Sequence, residues 1–152
     1  MKKFFAFLCS LSFLAATSAP SAASDASDVA AAVKKWVGDF NKGDMKAFVA
    51  ACAPSAAVVD GFPPYAWTSC ASWIDDYAVN NKATQATGGV LKIGKPLFFD
   101  ASGGHAYATY PAIFSNVQKG KSAVYKGSWA ITLQKISGSW VVTGSGSAWT
   151  SG

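Results

Sequence analysis

The sequence predicts an α+β domain in which three helices pack on a curved antiparallel sheet, and a change of hydrophobic period carries that prediction. As far as Asn81 the apolar residues recur mainly at helical spacing, whereas after Gly88 and Gly89 they alternate to the C-terminus. Glycine-containing turns at Gly103-Gly104, Gly120 and Gly138 divide the alternating part into strands.

Ahead of the domain, Lys2 and Lys3, the apolar run Phe4 to Ala16 and the small residues Ser18 to Ser24 form the pattern of an export signal. A run of 13 residues is shorter than the ~20 a membrane-spanning helix needs, and no later stretch is long and apolar enough. The expectation is a signal peptide over 1–23, cut after Ala23, and a secreted or periplasmic domain over 24–152 with no membrane partner once the signal is removed.

The first helix is read over Asp28 to Asn41 from Val29, Val33, Trp36, Val37 and Phe40, with Ser27 as N-cap and Gly43 as stop. Asp44 caps a second helix running through Cys52, which Pro54 ends. Ala56 to Asp60 reads as a short strand, and Gly61, Pro63 and Pro64 break it into a loop with Tyr65 and Trp67. A third helix follows from about Ser69 to Asn81. Val90 to Asp100 reads as one strand with an edge or bulge at Pro96, and His105 to Asn116 as the next, kinked at Pro111. Ala123 to Lys135 and a strand from Trp140 complete the meander. Alternation puts Ala106, Ala108, Tyr110, Ala112 and Phe114 on one face and His105, Tyr107 and Thr109 on the other. In the next strand Tyr125, Gly127, Trp129, Ile131 and Leu133 share a face.

Composition narrows the chemistry. The chain has neither Arg nor Glu, so it lacks the bidentate fork for phosphate or carboxylate and the commonest general-acid side chain. Without the two leader lysines, 11 Lys stand against 8 Asp, scattered along the chain, a balance that serves solubility and implies no nucleic-acid partner. With one His and no CxxC spacing, neither a metal nor a cofactor is expected. Cys52 and Cys70 remain after export, each beside a helical apolar face, and either a disulfide between them or two separate buried thiols fits the pattern.

In order and spacing, Phe40-Asn41-Lys42-Gly43-Asp44-Met45-Lys46-Ala47-Phe48, then Ala57-Val58-Val59-Asp60, then Gly127 to Lys135 followed by Gly138-Ser139-Trp140-Val141-Val142, resemble the nuclear-transport-factor-2-like (NTF2-like) superfamily. Within it they are similar to the SnoaL-like and ketosteroid-isomerase-like small domains, over nearly all of 24–152. The resemblance implies a conical barrel whose helices close one end around a cavity where small molecules are bound or transformed. Many relatives place a polar residue, often His, on the inward face just after the Trp of the final strand. Alternation from Trp140 puts Val142, Gly144 and Gly146 there instead, so that polar contributor is expected to be missing.

Isomerase chemistry of that kind needs a carboxylate base and a hydroxyl or neutral acid to hold the developing oxyanion. Asp60, near the position where relatives carry a carboxylate, is the candidate base, and Tyr110 and Tyr125 are the candidate oxygen stabilisers. An Asp before Gly also serves as turn chemistry, and inward Tyr as core. Trp36, Phe40, Trp73, Tyr77 and Trp129 are the candidate ligand walls, a pattern equally that of a packed core. His105 reads as surface, and Asp75 and Asp76 diverge on their helix, so that only Asp76 can look inward. The reading that follows is an exported domain binding a small apolar or aromatic molecule. The alternatives are a proton-transfer isomerase or dehydratase, and a homodimeric assembly module using outward Tyr107, Val124 and Ala130.

Overall fold

The structure, a computed structural model, describes residues 22–151. The leader expected over 1–23 therefore lies outside the described residues except for Ala22 and Ala23, which open the first helix. The elements run α1 (Ala22–Asn41), α2 (Met45–Ala50), β1 (Cys52–Val59), β2 (Ala66–Trp67), α3 (Cys70–Thr84), β3 (Ala86–Ile93), β4 (Phe98–Ser102), β5 (His105–Gln118), β6 (Lys121–Ile136) and β7 (Ser139–Ser151).

The helices form for local reasons. Val29, Val33, Trp36, Val37 and Phe40 make one stripe of α1 and are all buried, so the amphipathic period sets its orientation. Gly43, at φ +74°, turns the chain out of α1, and the Asp44 carboxylate accepts from the Ala47 N–H to start α2. Ser69 caps α3 in the same way, accepting from Ser72 N–H. The helix runs three residues past its expected end to Thr84, and its C-cap Gln85 adopts the left-handed conformation at φ 53°. Asn41 clamps the end of α1 to β3: its amide donates to the Leu91 carbonyl at 2.8 Å and its oxygen accepts from the Leu91 N–H at 2.7 Å.

The sheet order is β2-β1-β7-β6-β5-β3, with β4 also on β5, so the cone is open and has free edges. Pairing is antiparallel except between β1 and β7, which run parallel because α3 and the meander intervene. The central β5–β6 hairpin is in unbroken register from His105↔Gln134 to Gln118↔Lys121. Its turn, Lys119 and Gly120, has φ 50° and 76°, the primed geometry that matches strand twist.

α1 begins at Ala22 rather than at Asp28, so Ser27 lies within the helix instead of capping it, and four further features depart from the sequence expectation. The second helix stops at Ala50, and Cys52 opens β1 rather than closing a helical face. The loop after Asp60 contains the two-residue strand β2 on β1. Gly88 and Gly89 lie inside β3, where one extra residue bulges between Thr87 and Val90. The strand expected over Val90 to Asp100 is two, β3 and β4, lying end to end along β5: from Ile93 to Phe98 is five steps, opposite three from Ala112 to Thr109. Pro111 sits at this break, its carbonyl accepting from Gly94 N–H at 3.0 Å, so the donor it lacks falls where the ladder is already interrupted.

Cys52 and Cys70 are joined in a disulfide that ties the start of β1 to the start of α3, with Cα atoms 6.4 Å apart. The core lies between the helices and the concave sheet face, where Val29, Val33 and Trp36 meet Ala108, Trp129, Ile131 and Leu133. A second tie, Lys135 to Asp25 at 2.9 Å, holds α1 to β6.

Candidate functional site

The concave face is not filled. Between α1, α3 and the far halves of β5, β6 and β7 lies a cavity of about 390 Å³, within the ~300–1,000 Å³ usual for small-molecule sites. All five expected wall residues border it: Trp36, Phe40, Trp73, Tyr77 and Trp129. Their rings form one connected stack, Trp36 lying 4.2 Å from Phe48 and 5.4 Å from Trp129, and Trp73 5.1 Å from Tyr77. Trp36 and Trp129 are each only 4% exposed, so they are core and cavity floor at once. The Trp36 indole is held by donating to the Phe48 carbonyl at 3.0 Å.

Asp60 projects into this aromatic enclosure from the end of β1 and is half-buried. Its Oδ1 accepts from Ser147 Oγ at 2.6 Å, Gly61 N–H at 2.7 Å and Trp149 Nε1 at 2.8 Å, and its Oδ2 from Trp73 Nε1 at 3.2 Å. The turn role and the cavity role thus coincide in one carboxylate, which only accepts when ionised and here meets donors alone. Among the described residues that line the cavity none is a Lys or the His, and Asp60 alone carries a formal charge.

Ser147 and Trp149 were not legible as site residues, because simple alternation from Trp140 turns Gly144 and Gly146 inward. A one-residue bulge reverses this. Thr132 pairs with Gly144 and the next residue, Leu133, with Val142, so Thr143 is extra, and beyond it the faces of β7 exchange. Val142 still faces the core, but Ser145, Ser147 and Trp149 now line the cavity, while a Cβ on Gly144 would meet Thr132 Oγ1 on the outer face. The polar contributor expected to be missing from the final strand is present, shifted by one position.

The candidate oxygen stabilisers separate. Tyr125 borders the cavity, and its hydroxyl accepts from Gln118 Nε2 at 2.9 Å. Tyr110, opposite Trp129 in the β5–β6 register, is buried in the core outside the cavity wall, so the expectation that it faces the same space as Asp60 is corrected. Burial pushes the Tyr110 hydroxyl up from its ordinary value. Tyr77 is raised as well, first by burial and then by the Asp60 charge, against a hydrogen bond with Asn81 that lowers it. Gly89 makes the room: a Cβ there would overlap the Tyr77 hydroxyl and crowd the Phe114 ring.

A second polar group lies along β5. The alternation that turns Phe114 inward continues to Asn116 and Gln118, and both border the cavity. Asn116 is 7% exposed, and its Oδ1 has no hydrogen-bond partner among the described residues. An acceptor left so costs about 1–3 kcal/mol. The other atom of this kind, Trp140 Nε1, lies outside the cavity.

The remaining candidates fall elsewhere. His105 is exposed, as expected. Asp75 is exposed, and Asp76 accepts from Trp67 Nε1 at 2.8 Å away from the cavity. Tyr107 and Val124 are exposed on the convex face, with Ala130 half-buried. No three metal-ligating side chains converge among the described residues, and no described helix is long and apolar enough to cross a membrane.

No protein-family model matches the chain, and no curated protein matches its sequence. Solved structures do match its backbone. An NTF2-like superfamily protein from Salmonella enterica serovar Typhimurium superposes with TM-score 0.71 at 12% identity, over 87% of this chain and 95% of that one. A Novosphingobium aromaticivorans protein provisionally described as a scytalone dehydratase gives 0.70 at 11% identity, over 84% and 85%. An NTF2-like protein of unknown function from Shewanella oneidensis gives 0.59 at 17%, over 81% and 98%. What the chain shares with these proteins is the open cone of bent sheet and helices, and its fold is therefore NTF2-like.

Proposed function

We propose that this protein binds a small, largely aromatic or apolar molecule inside its cone, after export to an oxidising compartment. The observation that carries the reading is the cavity itself: about 390 Å³ left open inside a ring-lined core, with Asp60 and Asn116 among its polar side chains. Protein interiors otherwise pack to the density of organic crystals, so space of this size beside so many large side chains is the mark of a ligand site. Export is supported by the leader pattern and by the Cys52–Cys70 bond, since disulfides persist in secreted and periplasmic proteins. Native mass spectrometry of the purified protein, followed by denaturation, tests the binding. A retained small molecule released on unfolding is the expected result, whereas a bare protein mass whose tryptophan emission ignores every added ring compound would refute it.

A second reading is favoured by one feature of Asp60. Its Oδ2 carries only the 3.2 Å bond from Trp73, so a lone pair is left to take a proton from a bound molecule, with Tyr125 or Tyr77 across the cavity as oxygen stabiliser. The proton-transfer reading predicts that Asp60→Asn lowers turnover by about 10²-fold or more while an uncharged ligand still binds. Unchanged turnover in that variant removes it.

A further inference from the structure

Among the described residues, those lining the cavity include one carboxylate and no cationic side chain. Both ion pairs among the described residues lie elsewhere, Lys35 with Asp39 and Lys135 with Asp25. The four donors on Asp60 are neutral N–H and O–H groups, three on Oδ1 and one on Oδ2, and they leave its charge uncompensated. Tyr77, which lines the same cavity, has its hydroxyl raised first by burial and to a smaller degree by that charge. Around the carboxylate stand the rings of Trp73, Trp149, Phe62 and Tyr77, whose π systems attract cations, Trp most strongly. Further along the wall, the buried Asn116 Oδ1 is an acceptor with no donor. An anion entering this space would lose its water and meet the uncompensated charge of Asp60, whereas an ammonium group would meet an opposite charge beside aromatic rings in a medium of low dielectric.

Resting on the binding reading above, we propose that the ligand is an organic cation: a protonated amine on an apolar or aromatic body, its ammonium group held by Asp60 among the indoles and a further N–H or O–H donated to Asn116. The inference excludes carboxylates and phosphates as the natural ligands of this cone.

Three probes sharing one ring system and differing in charge decide it: 1-naphthylmethylamine, 1-naphthylmethanol and 1-naphthoate, titrated into the whole protein at neutral pH by calorimetry. The amine should bind roughly tenfold more tightly than the alcohol, and the acid more weakly than either. In Asp60→Asn, folded by circular dichroism, the amine should fall to within about threefold of the alcohol, with alcohol binding retained. If the alcohol or the acid binds as tightly as the amine in the unaltered protein, the cation inference is overturned while the binding reading stands, and Asp60 is then a strap between loop and sheet. If none of the three binds, the binding reading falls and the inference with it. The comparison on the unaltered protein needs no variant to fold.

Discussion

Asn116 and Ser147 illustrate how far a residue's role can be read from its neighbours in the chain. Asn116 follows the alternation of β5 without interruption, so its inward placement needs only a count of two from Phe114. Ser147 obeys the opposite parity from the one its strand begins with, and nothing within β7 announces the change. Tyr110 shows a further limit: parity puts it on the concave face, but whether that face is cavity or packed core at its level depends on α1 above it. The two raised tyrosines carry a prediction of their own. Because the folded state holds Tyr77 and Tyr110 above the ordinary value of about 10, their contribution to stability is complete below that value. It is lost as pH rises through the folded-state values, since the unfolded chain releases these protons first. Absorbance titration should therefore show a late-ionising class of tyrosines in the folded protein that Tyr77→Phe reduces, and thermal stability should fall in the alkaline range.

At the scale of elements, the three helices and the long strands β5, β6 and β7 were legible because periodic patterning and X-Gly turns are local signals, whereas β2 and the division of β3 from β4 were not. The bulges were not, since an extra residue in a ladder is defined by the partner strand. Two of them shape the site, the β7 bulge by swapping its inward face and the β3 bulge beside Gly88 and Gly89, while the break at Pro96 divides β3 from β4 away from the cavity. Glycine has a specific duty at Gly127 in β6, where β7 approaches so closely that a Cβ would overlap the Ala148 carbonyl and press on Trp149 Cα. Neither backbone can yield without disturbing the ladder, so Gly127→Ala should cost on the order of 1–3 kcal/mol. Chemical denaturation measures the loss. Because Trp149 also donates to Asp60, cavity binding should weaken in the same variant.

For the whole molecule, the Cys52–Cys70 bond closes a loop with a sequence separation of 18 residues and fastens α3 to the sheet edge beside the cavity. In the chain-entropy view such a loop is worth about 3 kcal/mol, so replacing both cysteines by alanine, or adding reductant, should lower the melting temperature by on the order of 10 °C. An unchanged transition in scanning calorimetry would contradict this. The sequence by itself determined the α+β class, the succession of the three helices and the long strands, the apolar stripe of α1, and the absence of any Arg or Glu from the chemistry. These follow from periodicity and composition, which act within a few residues. Only the tertiary structure decided that the wall encloses space, that Asp60 gathers Ser147 and two indoles, and that Tyr110 stands apart. Register between strands and the volume left between helix and sheet are set by residues distant in sequence, so no local pattern contains them.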